Sequence, residues 1–468
     1  MEFITIITGL IALVVWMVVL FHAVRSPLGW ISPAGLFALG LLSFYIVPSL
    51  YWSCRPWNYP VPPYFEGLYL VLVGAIVLGI PFLFVKSIFK IHRAVVLGNA
   101  ELSFGLFGAG LWLCNVPIVM GIGWKIYLIT MGYQSRLIRT NPELFGSENL
   151  AYLFSNLGSY FSAFYFALVL LGNKRQRQAG IIFWLSDGLI QMYTLQRYAM
   201  LVFVFRSAVS AAILGFRLKA RYWLGMIFFV VFVIVIVGQT PDYAREEMSG
   251  GRSYITPTQA TDIVGKATQD FIDTKGSGEG ESLLWNSLDE TMFRLFDARS
   301  AAAVMFNVPT VIPYRYGESV LQVFYAMIPR VVWEEKPSLR DIHMITDQVM
   351  PNDIGINPVG TIAELYLNGG FVAIFLGGII CFAICRSIGR LLLSQGAKRG
   401  VFLCVYPLTI EWIIGANFNF TQRLSEGIHL LIFFWLFGFF IRICRGRWLM
   451  NAPERPASAT EITPPSIV

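Results

Sequence analysis

Charge is what this sequence has least of. Asp, Glu, Lys and Arg make up 13% of its 468 residues and apolar types 56%, where soluble domains run at about 25% and roughly 45–50%. His is equally sparse, four in all, and no His-rich cluster offers a zinc site. The six Cys lie apart at Cys54, Cys114, Cys381, Cys385, Cys404 and Cys444. Only Cys54 falls where an oxidising compartment is expected, so no external disulfide framework is available. Cys381 and Cys385, four apart on one apolar helix, read as packing residues in preference to metal ligands. No Gly-rich phosphate loop is present, which leaves ATP-driven transport unsupported. Nor is there a Gly-x-Ser-x-Gly elbow of the esterase type. The first apolar run has no Lys or Arg ahead of it and no small-residue cleavage site after it, so it reads as a retained helix and not a cleaved signal peptide.

Long apolar runs fill the space that charge leaves. About 20 apolar residues cross a ~30 Å hydrocarbon layer as helix. Eleven such spans are read, near 3–22, 29–50, 67–85, 103–130, 150–171, 180–196, 198–216, 222–238, 359–385, 400–415 and 427–441. The chain therefore divides into spans over 1–238, a polar insert over 239–358, spans again over 359–450, and a Pro-, Ser- and Thr-rich tail over 451–468 expected to be disordered. The fold class expected is an all-α polytopic membrane protein.

Lys and Arg collect in alternate short loops, among them Lys86, Lys90 and Arg93, then Lys174, Arg175 and Arg177, then Arg386 and Arg390, then Arg442, Arg445 and Arg447. The positive-inside tendency places that side in the cytoplasm, with the amino terminus and the insert outside and the carboxyl terminus inside. Eleven crossings have the same parity. The net charge of +7 is then a topology signal, and no nucleic-acid partner is expected.

The insert, Gln239 to Pro358, carries ten Arg and Lys among seventeen Asp and Glu. It contains no Asp-x-Asp pair, which weakens a divalent-metal sugar-nucleotide mechanism. An amphipathic helix is predicted over Pro257–Lys275, a flexible break at Gly276–Glu281, and a second helix over Ser282–Phe306 whose stripe includes Leu284, Leu288, Leu295, Ala302 and Met305. That stripe is expected to lie on the membrane domain or in the interface. Val320–Trp333 is apolar but too short to cross, and suits an interfacial or re-entrant helix.

Two constellations carry chemistry. Spans six and seven form a hairpin in which Asp187 and Arg206 lie at similar depth, about 15 and 13 Å from the turn at ~1.5 Å per residue. Unpaired, each would cost at least ~2.5 kcal/mol in the membrane. They are expected to pair, either as a structural tie or as the lining of a cavity. The second constellation is a set of outward Arg and Lys at Arg197, Arg294, Arg299, Arg315, Arg330, Lys336 and Arg423. Guanidinium groups donate two parallel hydrogen bonds and suit a pyrophosphate. Any one of them can equally be a solvated surface charge. For a base, the candidates are Glu364, an acid at the start of the ninth span, and His343, the only His of the insert.

The run YRYGESVLQVFYAMIPRVVWEEKP, Tyr314 to Pro337, followed by GTIAELYLNGG, Gly360 to Gly370, resembles the signature of Wzy-type O-antigen and exopolysaccharide repeat-unit polymerases. The matching positions are Ile328, Pro329, Trp333, Lys336 and Pro337, then Gly369 and Gly370; Arg197, Arg294 and Arg423 fall where that family places Arg. The sequence departs from the family in a long segment between Thr240 and Gly280 and in the Asp187–Arg206 pair. The resemblance implies a GT-C-like, metal-independent glycosyltransferase without cofactor, in the bacterial plasma membrane. It implies that a polyprenyl-pyrophosphate-linked oligosaccharide is the substrate, that membrane lipids surround it, and that a chain-length regulator is a possible partner. Aromatic side chains such as Tyr314, Tyr316, Tyr325 and Trp333 can stack on sugars, although Tyr and Trp more often anchor at the interface. A ligase acting on a lipid A core shares this layout. A transporter or flippase, using Asp187, Arg206 and Glu411, is the rival from another class; paired repeats and broken central helices mark that class, and neither is read in the sequence.

Overall fold

The computed structural model describes residues 2–26, 32–54, 65–83, 174–193, 197–213, 298–328 and 359–394, with single positions or short runs at 119, 122–123, 126, 165–166, 168–170, 262–263, 265–266, 269, 289, 292, 333, 345, 349, 420–421, 424–425 and 428. Among the described residues there are helices and no strand. Four of the described stretches are long and apolar enough to cross a membrane: Glu2–Val24, Pro33–Ser53, Glu66–Leu83 and Thr361–Arg390. They correspond to the first, second, third and ninth expected spans. The expected spans at 222–238 and 400–415 lie outside the described residues, and 103–130, 150–171 and 427–441 are described at scattered helical positions only.

Helix α1 is Glu2–Val24. Helix α2, Pro33–Leu41, starts with Pro just inside a Ser32 cap whose hydroxyl accepts from the Gly35 amide at 3.2 Å. It passes through a π turn at Leu42–Ile46 into α3, Val47–Ser53. Pro48 explains the wide turn: it has no N–H for a preceding carbonyl and its ring crowds the turn behind it, so the helix loosens just before it. Helix α4 is Phe65–Leu83.

Small residues set how these helices meet. A Cβ on Gly79 of α4 would lie 2.8 Å from Val15, and the Trp16 indole N–H donates to the Ala75 carbonyl at 3.0 Å. Trp16, Phe37, Phe82 and Phe382 form one ring cluster, with centroids 5.4–5.7 Å apart. Without a hydrophobic drive between helices in lipid, such close approach and ring packing supply the adhesion. On the opposite side α1 exposes Phe3, Ile7, Leu10, Val14 and Phe21, an outward face suited to acyl chains.

The hairpin of α5, Lys174–Tyr193, and α6, Arg197–Ile213, is helical where the sixth and seventh spans are expected, but neither helix is among those long and apolar enough to cross. Trp184 stacks on Phe203 at 5.1 Å and donates to the Ser207 hydroxyl at 2.9 Å. In the insert, α7 is Ala298–Asn307 and α8 is Glu318–Met327. Ala302 and Met305 of the expected stripe are buried. The Ala302 backbone rests on Gly67, and Met305 reaches Gly74, so α7 docks on α4. Helix α8 is shorter than expected, ending where Ile328 is extended ahead of Pro329, as the residue before proline prefers.

Helix α9, Thr361–Ser394, is broken at Gly369 and Gly370. Gly74 of α4 faces both Ile362 and Ile374, and Gly377 abuts the Leu365 side chain. Residues twelve apart on an unbroken helix would be about 18 Å apart. The short arm 361–368 therefore folds back beside the arm that follows. Gly370, at φ 65°, supplies the left-handed turn, and a Cβ there would stand 3.4 Å from the Tyr314 hydroxyl. The expectation of no broken helix is thus corrected, because the ninth span carries one at its start. Beyond the break α9 runs in the same direction as α4, with Gly378 against Leu78 and Phe382 against Phe82.

Candidate functional site at the broken helix

The break in α9 gathers three separate stretches of chain. Every residue of the 361–368 arm is buried, the polar Thr361, Glu364 and Asn368 included. A polar group so placed needs partners, and the arm finds them on both sides.

Asn368 makes the first junction. Its amide nitrogen donates to the Ser319 hydroxyl at 2.6 Å and to the Glu364 carbonyl at 2.8 Å, while its oxygen accepts from the Gly317 amide at 3.0 Å. Alongside, the Arg315 amide donates to the Leu367 carbonyl at 2.8 Å. These bonds hold the turn Arg315–Glu318, closed by the Glu318 amide on the Arg315 carbonyl at 2.9 Å. Tyr316 and Gly317 both have positive φ, 45° and 91°. That is the signature of a primed turn, in which a bulky residue at the first central position is unusual. Tyr316 is 83% exposed, and its ring stands 6.1 Å from that of Tyr314, which in turn lies 6.1 Å from Tyr366.

Glu364 makes the second junction. Its two carboxylate oxygens accept from the Thr421 amide at 3.2 and 3.1 Å, and one also accepts from the Thr421 hydroxyl. Thr421 is fully buried, and residues 420, 421, 424, 425 and 428 are helical. Glu364, read from the sequence as a candidate base, ties the Thr421 segment to the broken helix. Fully buried, Glu364 can take a proton from a substrate only where the junction opens to it.

The remaining sequence candidates divide three ways. Asp187 and Arg206 are both buried on the packed α5–α6 hairpin. Arg299 sits half-buried on α7, next to the buried Ala298 and Ser300. Arg197 begins α6, with its side chain outside the described residues, and Arg294, Arg330, Lys336, His343 and Arg423 also lie outside them. Cys381 and Cys385 are buried together on α9, as packing residues are. Among the described residues no group of His, Cys, Asp and Glu is arranged to hold a metal.

Asn368, Ser319 and Thr421 were not singled out from the sequence. Asn368 had a signal, being a lone amide in an apolar run directly before Gly369–Gly370. Thr421 had none, since its partner is 57 positions away. A further tie joins the insert to the membrane helices, where the Tyr51 hydroxyl at the end of α3 donates to Asp289.

A family model described as Domain of unknown function (DUF8712) matches residues 128–420. The chain belongs to that family, whose span takes in α5 to α9 and reaches the Phe420 end of the Glu364 junction. No curated protein and no solved structure matches the chain.

Proposed function

We propose that the chain is a polysaccharide repeat-unit polymerase, joining polyprenyl-pyrophosphate-linked oligosaccharides on the outer face of a bacterial plasma membrane. The observation that carries this reading is the meeting of the two segments that resemble the polymerase signature. Tyr314–Ser319 and Glu364–Gly370 are stitched together through Asn368 beside apolar helices able to cross a bilayer. A reaction on a lipid-borne sugar needs a polar junction at such a border.

In the proposed reaction an acceptor sugar hydroxyl attacks the anomeric carbon of the donor glycan. The bond from that carbon to the pyrophosphate oxygen breaks, and polyprenyl pyrophosphate leaves. Arg197, Arg294, Arg299, Arg330, Lys336 and Arg423 are the candidates to hold the pyrophosphate and offset its growing charge. The hydroxyl proton passes to His343 or to Glu364, the latter only when the buried junction opens to substrate. Tyr316, whose ring is open to its surroundings, is placed to stack on a sugar.

The full chain in vesicles with lipid-linked repeat units is expected to build long glycans without any core acceptor. Arg197→Ala and Arg294→Ala should abolish long chains while leaving membrane levels unchanged. Normal chain-length ladders from both variants would overturn the assignment, and a requirement for a lipid A core acceptor would make the protein a ligase. One observation favours a second reading, a lipid-linked glycan transporter: a buried half-helix ending at a glycine break is a device of transporters. Movement of lipid-linked glycan across the vesicle membrane with no new glycosidic bond would select it.

A further inference from the structure

Helix α8 is built inside out for a helix in water. Its buried face carries Ser319 and Gln322 with Val323, while Leu321, Phe324, Tyr325 and Ile328 face outward. Leu321 is 53% and Phe324 61% exposed. At 3.6 residues per turn the four outward side chains fall within an arc of about 100°, opposite the buried set. A soluble helix places polar groups outward and apolar groups inward. Here Ser319 is held by Asn368, and the outward side is the apolar stripe with the exposed Glu318 at its head.

Three features say what covers that stripe. Through Gly317 and Asn368 the head of α8 is bonded to a point four residues before Val372, which is 71% exposed at the top of the outward apolar face of α9. The stripe thus starts beside a segment that belongs to a candidate membrane span. Aromatic rings flank the helix, Tyr316 before it and the Tyr325–Trp333 pair at its end, 5.7 Å apart; such rings gather at membrane–water boundaries. Ten residues of helix cover only about 15 Å, too little to cross.

We infer that α8 lies in the boundary layer of the bilayer, its Leu321–Phe324–Tyr325–Ile328 face against lipid acyl chains and its Ser319–Gln322 face against the broken helix. The polar insert then keeps α8 at the membrane, between the acyl chains and the Asn368 junction. The inference does not rest on the polymerase reading and holds whatever reaction the protein performs.

The test is a spin-label scan of the full chain, with reactive Cys replaced, in nanodiscs of phosphatidylcholine and phosphatidylglycerol. Single Cys are placed at Leu321, Phe324 and Ile328, with Glu318 as the polar-end reference and Gln322 as the buried reference. For the outward positions, the ratio of oxygen accessibility to that of a water-soluble nickel chelate is expected to be roughly threefold or more above that at Glu318, as for side chains 5–10 Å into the acyl boundary. Gln322 should be poorly accessible to both reagents. High nickel accessibility at Leu321 and Phe324 would put the stripe in water and overturn the inference. Low accessibility to both reagents there would mean that protein covers the stripe, which overturns it equally. Three outward positions are scanned so that loss of folding in one variant leaves the answer readable from the others.

Discussion

The two arms of α9 are written in similar residues and live in different surroundings. Positions 361–368 read TIAELYLN and are buried throughout; from Val372 onward the helix exposes Val372, Phe375, Leu376, Ile379 and Ile380 along one face. Apolarity alone does not separate them, since both are rich in Ile, Leu and Phe or Tyr. The difference lies in Glu364 and Asn368, which a lipid-facing surface could not accommodate without large cost. Folding the short arm back into the protein lets both find partners, Thr421 for one and Gly317 and Ser319 for the other. The polar residues thus decide which arm goes inside, and the glycine pair permits the reversal.

Substitutions in the two arms should therefore differ sharply. The largest effect is expected at Glu364→Ala, which leaves the buried Thr421 amide and hydroxyl without their acceptor; thermal unfolding in detergent should show a loss of about 3 kcal/mol. A loss below about 1 kcal/mol would mean that the carboxylate does not tie the Thr421 segment. Asn368→Ala should cost about 2 kcal/mol, because the Gly317 amide and Ser319 hydroxyl lose a partner together. Proteolysis between α7 and α8 should also quicken if Asn368 anchors the Arg315–Glu318 turn, and an unchanged cleavage rate would count against that anchor. At the bottom of the scale, Val372→Leu changes only the outward face and should stay within about 0.5 kcal/mol. An effect as large as that of Asn368→Ala would place Val372 against protein and erase the contrast between the arms.

Much of the framework was legible beforehand. The helices at 2–24, 33–53, 65–83 and 361–394 coincide with expected spans because length and apolarity act locally on each segment. The α5–α6 hairpin and the docking stripe of α7 were legible for the same reason, as periodic patterns within one stretch. The reversal in α9 was not. An unbroken crossing accounts for the apolar run around Gly369–Gly370 equally well; the non-helical glycines and the contacts of Gly377 with Leu365 and of Gly74 with both Ile362 and Ile374 distinguish them. In the sequence Glu364 reads as a candidate base, since nothing near it in the chain can satisfy a buried carboxylate. Helix α8 was expected to be interfacial or re-entrant, but which of its faces is turned outward depends on Asn368, about 50 positions further on.

By itself, then, the sequence determined that this is a helical chain with segments able to enter a membrane and a charged insert between them, because hydrocarbon demands long apolar runs and water tolerates charge. Tertiary structure alone decided that the ninth span doubles back, that Glu364 faces Thr421, and that α8 turns its polar side inward. Each of those outcomes depends on hydrogen-bond partners far apart along the chain, and a buried donor or acceptor can be satisfied only once the fold has brought its partner to it.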